Sequence, residues 1–550
     1  MKITVAQLNY HIGNFIQNKK LISDAIEKAK SNGSDLIIFS ELCISGYPPL
    51  DLLDRYDFIE KCNQTVNEIA QECTGIAAIV GSPTINKNRE GKKLFNSALL
   101  LSEGKIAFCV NKALLPTYDI FDEYRYFEPG NKFSVIPFKG LKIALTICED
   151  LWDEQPFDNE FEKEKLYTVS PMRELKKQDP DIIINISASP FSYAKTEARE
   201  DIFRGKSHKN KIPLINVNQT GANTELIFDG ASLVINSKGD IIHRLPFFEE
   251  AIETYSSEEI FSGKLLVAKT KPKPIELIYK ALVTGIHDYF AKTNFKNCII
   301  GLSGGIDSAL VLCLAVEALG NKNARALLMP SQYSSENSVK DAIALAKILK
   351  VHYDIINIDK TFITLEEVLK PLFKGTEKDV TEENIQARIR AILLMAISNK
   401  YGCILLNTSN KSEASVGYGT LYGDMAGGLS VIGDVYKSDV YRLADYINRD
   451  REIIPQNTIA KLPSAELRPG QLDTDSLPEY KILDAILYQY IELQKPAERI
   501  TGEGIDGSTV AKVIRLINYN EYKRYQAPPV LRISSKSFGD GRRMPLVARY

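Results

Sequence analysis

Two places in this 550-residue chain combine residue types that can do chemistry. The first is Ser303-Gly304-Gly305-Ile306-Asp307-Ser308, entered from the apolar run "CII" and left through an amphipathic one. A strand, a Gly-rich turn and a helix put backbone N–H groups and a helix dipole where an anion can sit. Ser303 and Ser308 add two hydroxyl donors. The turn lacks the Gly-Lys-Ser/Thr ending of the common nucleotide loop and carries Asp307 instead. A carboxylate repels phosphate unless a cation stands between them, and Mg²⁺ binds carboxylate and phosphate oxygens together. Asp307 therefore predicts a magnesium-bridged pyrophosphate. The bland alternative is a Gly turn with Asp as a helix cap, and the complete Ser-Gly-Gly-Ile-Asp-Ser string after a strand disfavours it.

The second place is Cys148, at the end of the apolar run "LKIALTI" and followed at once by Glu149 and Asp150. For a lone Cys, a buried core position is the default. A reactive one needs a base and an oxyanion stabiliser. The chain's five His (11, 208, 243, 287, 352) sit in no motif-like context, so a Cys-His pair is unsupported. Two other strand ends supply the missing parts. "LIIFSEL" delivers Glu41, which burial could make a general base, and "CVNK" delivers Lys112, whose ammonium could stabilise a developing oxyanion.

The elements that must position these groups divide at the linker. Up to residue 250, short Ile/Val-rich strands alternate with helices such as "NKKLISDAIEKAKSNG", and hairpins turn at Glu103-Gly104 and Lys238-Gly239. Hairpins mixed with helix-covered strands predict two sheets with helices outside. Residues 251–274 are polar and then Lys/Pro-rich, which predicts a linker. From 275 to 550 a βαβ rhythm predicts a doubly wound parallel sheet. The net charge of −2 gives no reason to expect a nucleic-acid or membrane partner, and no apolar run is long enough to span a bilayer. The N-terminus lacks the apolar block of a signal peptide, and eight scattered Cys form no C-x-x-C pair. A cytoplasmic protein with reduced thiols, most of them small core residues, is expected.

The 301–308 loop resembles that of enzymes that split ATP into AMP and pyrophosphate. "ENIQARIR" (383–390), "NTSNKSEASVGYGTLYGDMAGG" (407–428), "VYKSDVYRLA" (435–444), "LPSAELRPGQ" (462–471), "EYKRYQAPP" and "SFGDGRRMP" extend the resemblance, in that order, to NAD synthetase. The resemblance covers essentially all of 275–550. It implies that Gly301, Leu302, Ser303, Gly304, Gly305, Ile306, Asp307 and Ser308 bind ATP with Thr408, and that Lys437 and Ser464 reach its phosphates from mobile loops. It implies Glu413 as the second magnesium carboxylate beside Asp307, and Asn384, Arg388, Glu413, Asp424 and Lys523 as contacts of deamido-NAD. Read as residues alone, Arg388 and Asp424 are equally consistent with a surface ion pair. "SNKSE" stands where some relatives carry a His-containing segment, which leaves the ligand set around Glu413 open.

Glu41, Lys112 and Cys148, in this order and in these strings, resemble the nitrilase superfamily triad, and Glu123 matches that family's accessory glutamate. The resemblance spans about residues 1–250 and implies a four-layer α-β-β-α sandwich. Beside a synthetase it implies a glutaminase, with Tyr118, Ser189 and Lys195 at positions expected to hold glutamine. The combined expectation is an α/β amidotransferase that hydrolyses glutamine and passes ammonia, through a passage the family implies, to an ATP- and Mg²⁺-dependent amidation of deamido-NAD. Small-molecule substrates and a homo-oligomer joined through synthetase domains are also implied. The nearest rivals are other ATP-pyrophosphatase amidotransferases, such as a GMP or asparagine synthetase. The latter would place its nucleophilic Cys at the N-terminus, where residue 2 here is Lys. A scaffold with one dead domain is disfavoured by the intact Glu41, Lys112 and Cys148.

Overall fold

The computed structural model describes residues 1–154, 165–263, 272–501 and 504–548, in two compact units, Met1–Pro272 and Lys273–Tyr550.

The first unit holds two six-stranded sheets. One runs Ala251–Ser256, Lys2–Gln7, Leu36–Ile38, Ala77–Ile85, Leu94–Ser102, Lys105–Asn111. The other runs Ile241–Arg244, Leu233–Ile235, Leu214–Asn218, Ile182–Ser187, Leu141–Ile147, Ile136–Phe138. The central strands of each are parallel and the hairpins sit at the edges. Period-two alternation decides what faces what. Ile3, Val5, Leu36 and Ile38 meet Leu145, Ile147, Ile184 and Ile186 between the sheets. The residues between them point outward. Ile37 and Val80 pack under Ile22, Ile26, Val66 and Ile69 of the helices Phe15–Ser31 and Tyr56–Glu72. On the other side Ile183 and Leu214 pack under Met172, Leu175 and Phe203 of the helices Pro171–Lys176 and Lys195–Asn210. Helix, sheet, sheet, helix is thus the layer order, and strands buried on both faces account for the near-continuous Ile/Val runs.

The linker expectation is corrected at its start. Ala251–Ser256 is a strand, antiparallel to Lys2–Gln7 in the register Lys2↔Ser256, and Ser257–Ser262 is a short helix. An edge strand with mostly half-exposed side chains needs no apolar pattern, which is why it reads as linker. Residues 264–271, with much of the Lys/Pro-rich stretch, lie outside the described residues.

The second unit is built on a five-stranded parallel sheet: His352–Ile355, Ala324–Leu328, Cys298–Gly301, Ile404–Asn407, Leu429–Ser430. The strand that feeds the Gly-rich loop lies at the centre, where chain order reverses and an open α/β sheet forms its ligand crevice. The helix Val380–Tyr401 leads into Ile404–Asn407 after stopping at Gly402, whose φ is 60°. The two-residue strand Leu429–Ser430, also bridged to Val530, was not expected.

Candidate active sites

In the first unit four of the candidate side chains stand at or just past the C-terminal end of a strand. Glu41 follows Leu36–Ile38, Lys112 follows Lys105–Asn111, Cys148 follows Leu141–Ile147 and Ser189 follows Ile182–Ser187. Lys112 Nζ donates to Glu41 Oε1 and to both carboxylate oxygens of Glu123, each at 2.8 Å. Lys112 and Glu41 are buried to 0% and 1% side-chain exposure, so this is a dry cluster of one cation and two carboxylates. Asn96 Nδ2 donates to Glu41 at 2.7 Å, the Ala188 amide to its other oxygen at 3.0 Å, and the Tyr47 hydroxyl to Glu123 at 3.0 Å. Burial alone would strip the proton from Lys112, but Glu123 and Glu41 outweigh it and hold the ammonium well above its ordinary range. Burial, with Glu41 adding repulsion, pushes Glu123 up to about 7 against the pull of Lys112.

Cys148 opens a turn of 3-10 helix with φ at 41°, a left-handed conformation that a side chain adopts at a cost. Its thiol contacts the Ser189 hydroxyl at 3.4 Å. Burial, then the Glu41 charge, raises the thiol pKa, with Lys112 pulling the other way. Burial and the neighbouring carboxylate thus favour the protonated thiol. Of the residues expected to hold glutamine, Ser189 lies beside Cys148 and Tyr118 and Lys195 lie beside each other. Tyr118 donates to Glu149 at 2.9 Å, and the Lys195 ammonium lies 5.8 Å from the Tyr118 ring centroid and 3.4 Å from Asp119. Seven of the eight Cys are buried and Cys109 is exposed, a departure from core packing at the edge strand.

In the second unit the Gly-rich loop and a cavity of about 300 Å³ coincide. Gly301, Leu302, Ser303, Gly305, Ile306, Asp307, Ser308, Thr408, Lys437 and Ser464 all line it, as do Glu413 and Asp424. Ser303 and Ser308 hydroxyls lie 3.1 Å apart, and the Gly305 amide donates to Ser303 Oγ at 3.1 Å, which folds the loop back on the helix Ile306–Leu319. Asp307 pairs closely with Lys437, which also lies 3.4 Å from Glu413, while Asn410 Nδ2 donates to Asp307 at 3.0 Å. Lys437 begins the helix Lys437–Ile447 and is buried, which corrects its expected place on a loop. Asn384, Arg388 and Lys523 do not line the cavity. They brace the 417–424 loop instead: Thr420 donates to Asn384 at 2.6 Å, Arg388 to the Leu421 carbonyl at 3.2 Å, and Lys523 to the Gly417 and Gly419 carbonyls.

The donor set suits a divalent cation. Burial, relieved by Lys437 but aggravated by Asp307 and Asp473, pushes Glu413 up to about 8, so this corner carries more carboxylate than one ammonium neutralises. Among the described residues no group of three or more His, Cys, Asp or Glu could hold a metal. Asp307 and Glu413 are the carboxylates that would hold such an ion, and Mg²⁺ is one that binds through one or two carboxylates together with phosphate oxygens. Sequence reasoning assigns no role to Asn96 and Tyr47 in the first unit, or to Asn410 and the cavity-lining Arg390, Lys461 and Asp473 in the second, and it places Glu149 and Asp150 beside Cys148 without a role. Asp150 lies two residues past Cys148 and Asn410 two past Thr408. Asn96 and Tyr47 carried no local signal, because only the fold brings them to Glu41 and Glu123.

A buried Cys-Glu-Lys cluster and a Gly-rich loop lining a cavity on one chain fit the class that its relatives give, an amidotransferase of the carbon–nitrogen ligase type. Residues 2–256 match the carbon-nitrogen hydrolase family and residues 278–527 the NAD synthase family. The glutamine-dependent NAD(+) synthetase of Synechocystis sp. is 44% identical over 100% of this chain and 99% of its own length. That of Thermotoga maritima is 39% identical over 100% and 99%. The structure of the glutamine-dependent NAD+ synthetase from Acinetobacter baumannii in complex with ADP superposes with a TM-score of 0.78 at 36% identity, over 99% of this chain and 98% of that one. The chain belongs to the glutamine-dependent NAD(+) synthetase family.

Proposed function

We propose that the chain makes NAD by hydrolysing glutamine in its first unit and amidating deamido-NAD, with ATP, in its second. The observation that carries the reading is the buried Glu41–Lys112–Glu123 cluster beside Cys148 on the same chain as the 301–308 loop. Ammonium has no lone pair with which to attack, so a ligase that needs ammonia gains by liberating it. Tyr118, Ser189 and Lys195 hold glutamine, the Lys ammonium suiting the α-carboxylate. Glu41 takes the Cys148 proton as sulfur attacks the side-chain amide. Lys112 stabilises the tetrahedral oxyanion, and Glu41 returns a proton to the departing ammonia. Water, deprotonated by Glu41, then clears the thioester and leaves glutamate. Asn96 and the Ala188 amide keep Glu41 aimed through both steps.

In the second unit the Ser303–Ser308 loop cradles the pyrophosphate end of ATP. Lys437 and Ser464 contact its phosphates, and Asn384, Arg388, Asp424 and Lys523 orient the dinucleotide with the 417–424 loop. Asp307 and Glu413 would hold Mg²⁺, which when bound neutralises charge on the pyrophosphate. The deamido-NAD carboxylate displaces pyrophosphate to form an acyl adenylate, and ammonia displaces AMP from it. The test is product analysis with ATP, deamido-NAD and glutamine labelled with ¹⁵N in its amide. Label in the nicotinamide carboxamide, with one AMP per NAD, is expected. Unlabelled NAD, or glutamate without AMP, overturns the reading.

A further inference from the structure

Asp150 stands two residues past Cys148, fully enclosed, and its carboxylate is spent on backbone. Oδ1 accepts from the Ala113 and Leu114 amides, each at 2.9 Å, and Oδ2 accepts from the Ile147 amide at 3.1 Å. Ala113 and Leu114 directly follow Lys112, and Ile147 directly precedes Cys148. These two stretches leave different sheets, Lys105–Asn111 in one and Leu141–Ile147 in the other, and among the described residues no strand ladder joins the two sheets. Packing between sheets is soft compared with a hydrogen-bonded ladder, yet the ammonium and the thiol must keep one geometry through two tetrahedral states. Asp150 ties the two stretches to each other directly, through backbone, where the Ala188 amide reaches Lys112 only by way of Glu41.

We propose that Asp150 is a positioning residue, the strut that fixes the Lys112 ammonium relative to the Cys148 sulfur. The proposal rests on reading Cys148 as nucleophile and Lys112 as oxyanion cation. Two observations favour a strut over a simple turn cap. A cap needs only the Ile147 amide, whereas two of the three bonds reach a segment 36 and 37 residues away. The backbone at Cys148 is left-handed, and a strained nucleophile persists only where its surroundings over-determine it. The adjacent Glu149 does something else: its carboxylate takes the Tyr118 and Tyr167 hydroxyls, at 2.9 and 2.8 Å, on the glutamine side. An ionised carboxylate is acceptor-only and can serve three amides. A carboxamide of the same shape turns an NH₂ toward one of them. Burial outweighs the Leu114, Ile147 and Ala113 amides and the Lys112 charge and raises the Asp150 carboxyl to about 7.

The test is Asp150→Asn in the full chain, with ammonia-driven NAD synthesis equal to that of the parent as proof of folding. Should that variant fail the criterion, Asp150→Ser, which leaves room for a water, takes its place. Glutamine hydrolysis is expected to lose roughly a hundredfold in kcat, the scale of an ångström's misplacement, with KM within about threefold. Iodoacetamide should alkylate Cys148 at least about tenfold more slowly, since the thiol has lost its set geometry against its activating groups. A calorimetric titration of Cys148→Ala/Asp150→Asn with glutamine should match that of Cys148→Ala. Unchanged kcat, or a loss confined to KM and glutamine binding, overturns the strut. Failure of the underlying reading has a different signature: Cys148→Ala would still hydrolyse glutamine, whatever Asp150 does.

Discussion

Glu123 shares the Lys112 ammonium with Glu41 in a dry cluster. Burial, with the Glu41 charge adding repulsion, pushes the Glu123 carboxyl up to about 7. In the unfolded chain its pKa is ~4.3. Between these values the folded protein keeps a proton that the unfolded chain has released. The stability contributed by Glu123 is therefore fully present below pH ~4.3 and is lost as pH rises through about 7. Glu123→Gln keeps a carbonyl for Lys112 and removes the titration. Melting temperatures of the parent and the variant, followed from pH 5 to pH 8, should diverge, the parent losing ground as pH rises. Parallel curves would show that the carboxyl does not hold that proton.

At the scale of elements, the Gly-rich loop is held by close backbone packing. Gly304 has φ at 84°, and a Cβ built there would lie 2.1 Å from the Ser338 carbonyl oxygen, at the start of the helix Glu336–Ile348. Backbone meets backbone, so no side chain can yield. Gly304→Ala is expected to cut ATP-dependent AMP formation by at least about a hundredfold, since the loop must shift by an ångström or more, while glutamine hydrolysis continues at the parental rate. An AMP rate within threefold of the parent would mean that the loop is not the phosphate cradle. The same loop explains what was legible in the sequence. Strands with inward-facing Ile on both sides, and turns that demand glycine, write their geometry into local residue types. Ile182–Ser187 and the turn at Glu103–Gly104, where φ is 50° and 77°, fall where the pattern puts them. So do Glu41, Lys112 and Cys148, because each ends a strand. What stayed hidden depends on long-range placement. Ala251–Ser256 is polar because one edge of it faces water, Leu429–Ser430 is too short for any pattern, and Asn96 acts on Glu41 across 55 residues of chain.

At the scale of the whole molecule, two chemistries on one chain share only a nitrogen atom, and this makes their failures separable. Cys148→Ala should abolish glutamine-driven NAD synthesis and leave synthesis from added ammonium at the parental rate. Asp307→Ala should stop AMP formation from either nitrogen source and leave glutamine hydrolysis running, because its carboxylate faces Lys437 and Asn410 in the second unit. The two variants mixed together give the sharper prediction. Glutamate forms in one protein and NAD in the other, so nitrogen must cross as free ammonia, most of it protonated and unreactive at neutral pH. NAD should then appear after a lag, at a rate that climbs with the glutamine already consumed and reaches its plateau at once when ammonium is added. The parent enzyme should show no such lag. A mixture that starts without delay, or that never makes NAD while glutamate accumulates, would contradict the division of labour between the thiol at Cys148 and the carboxylate at Asp307.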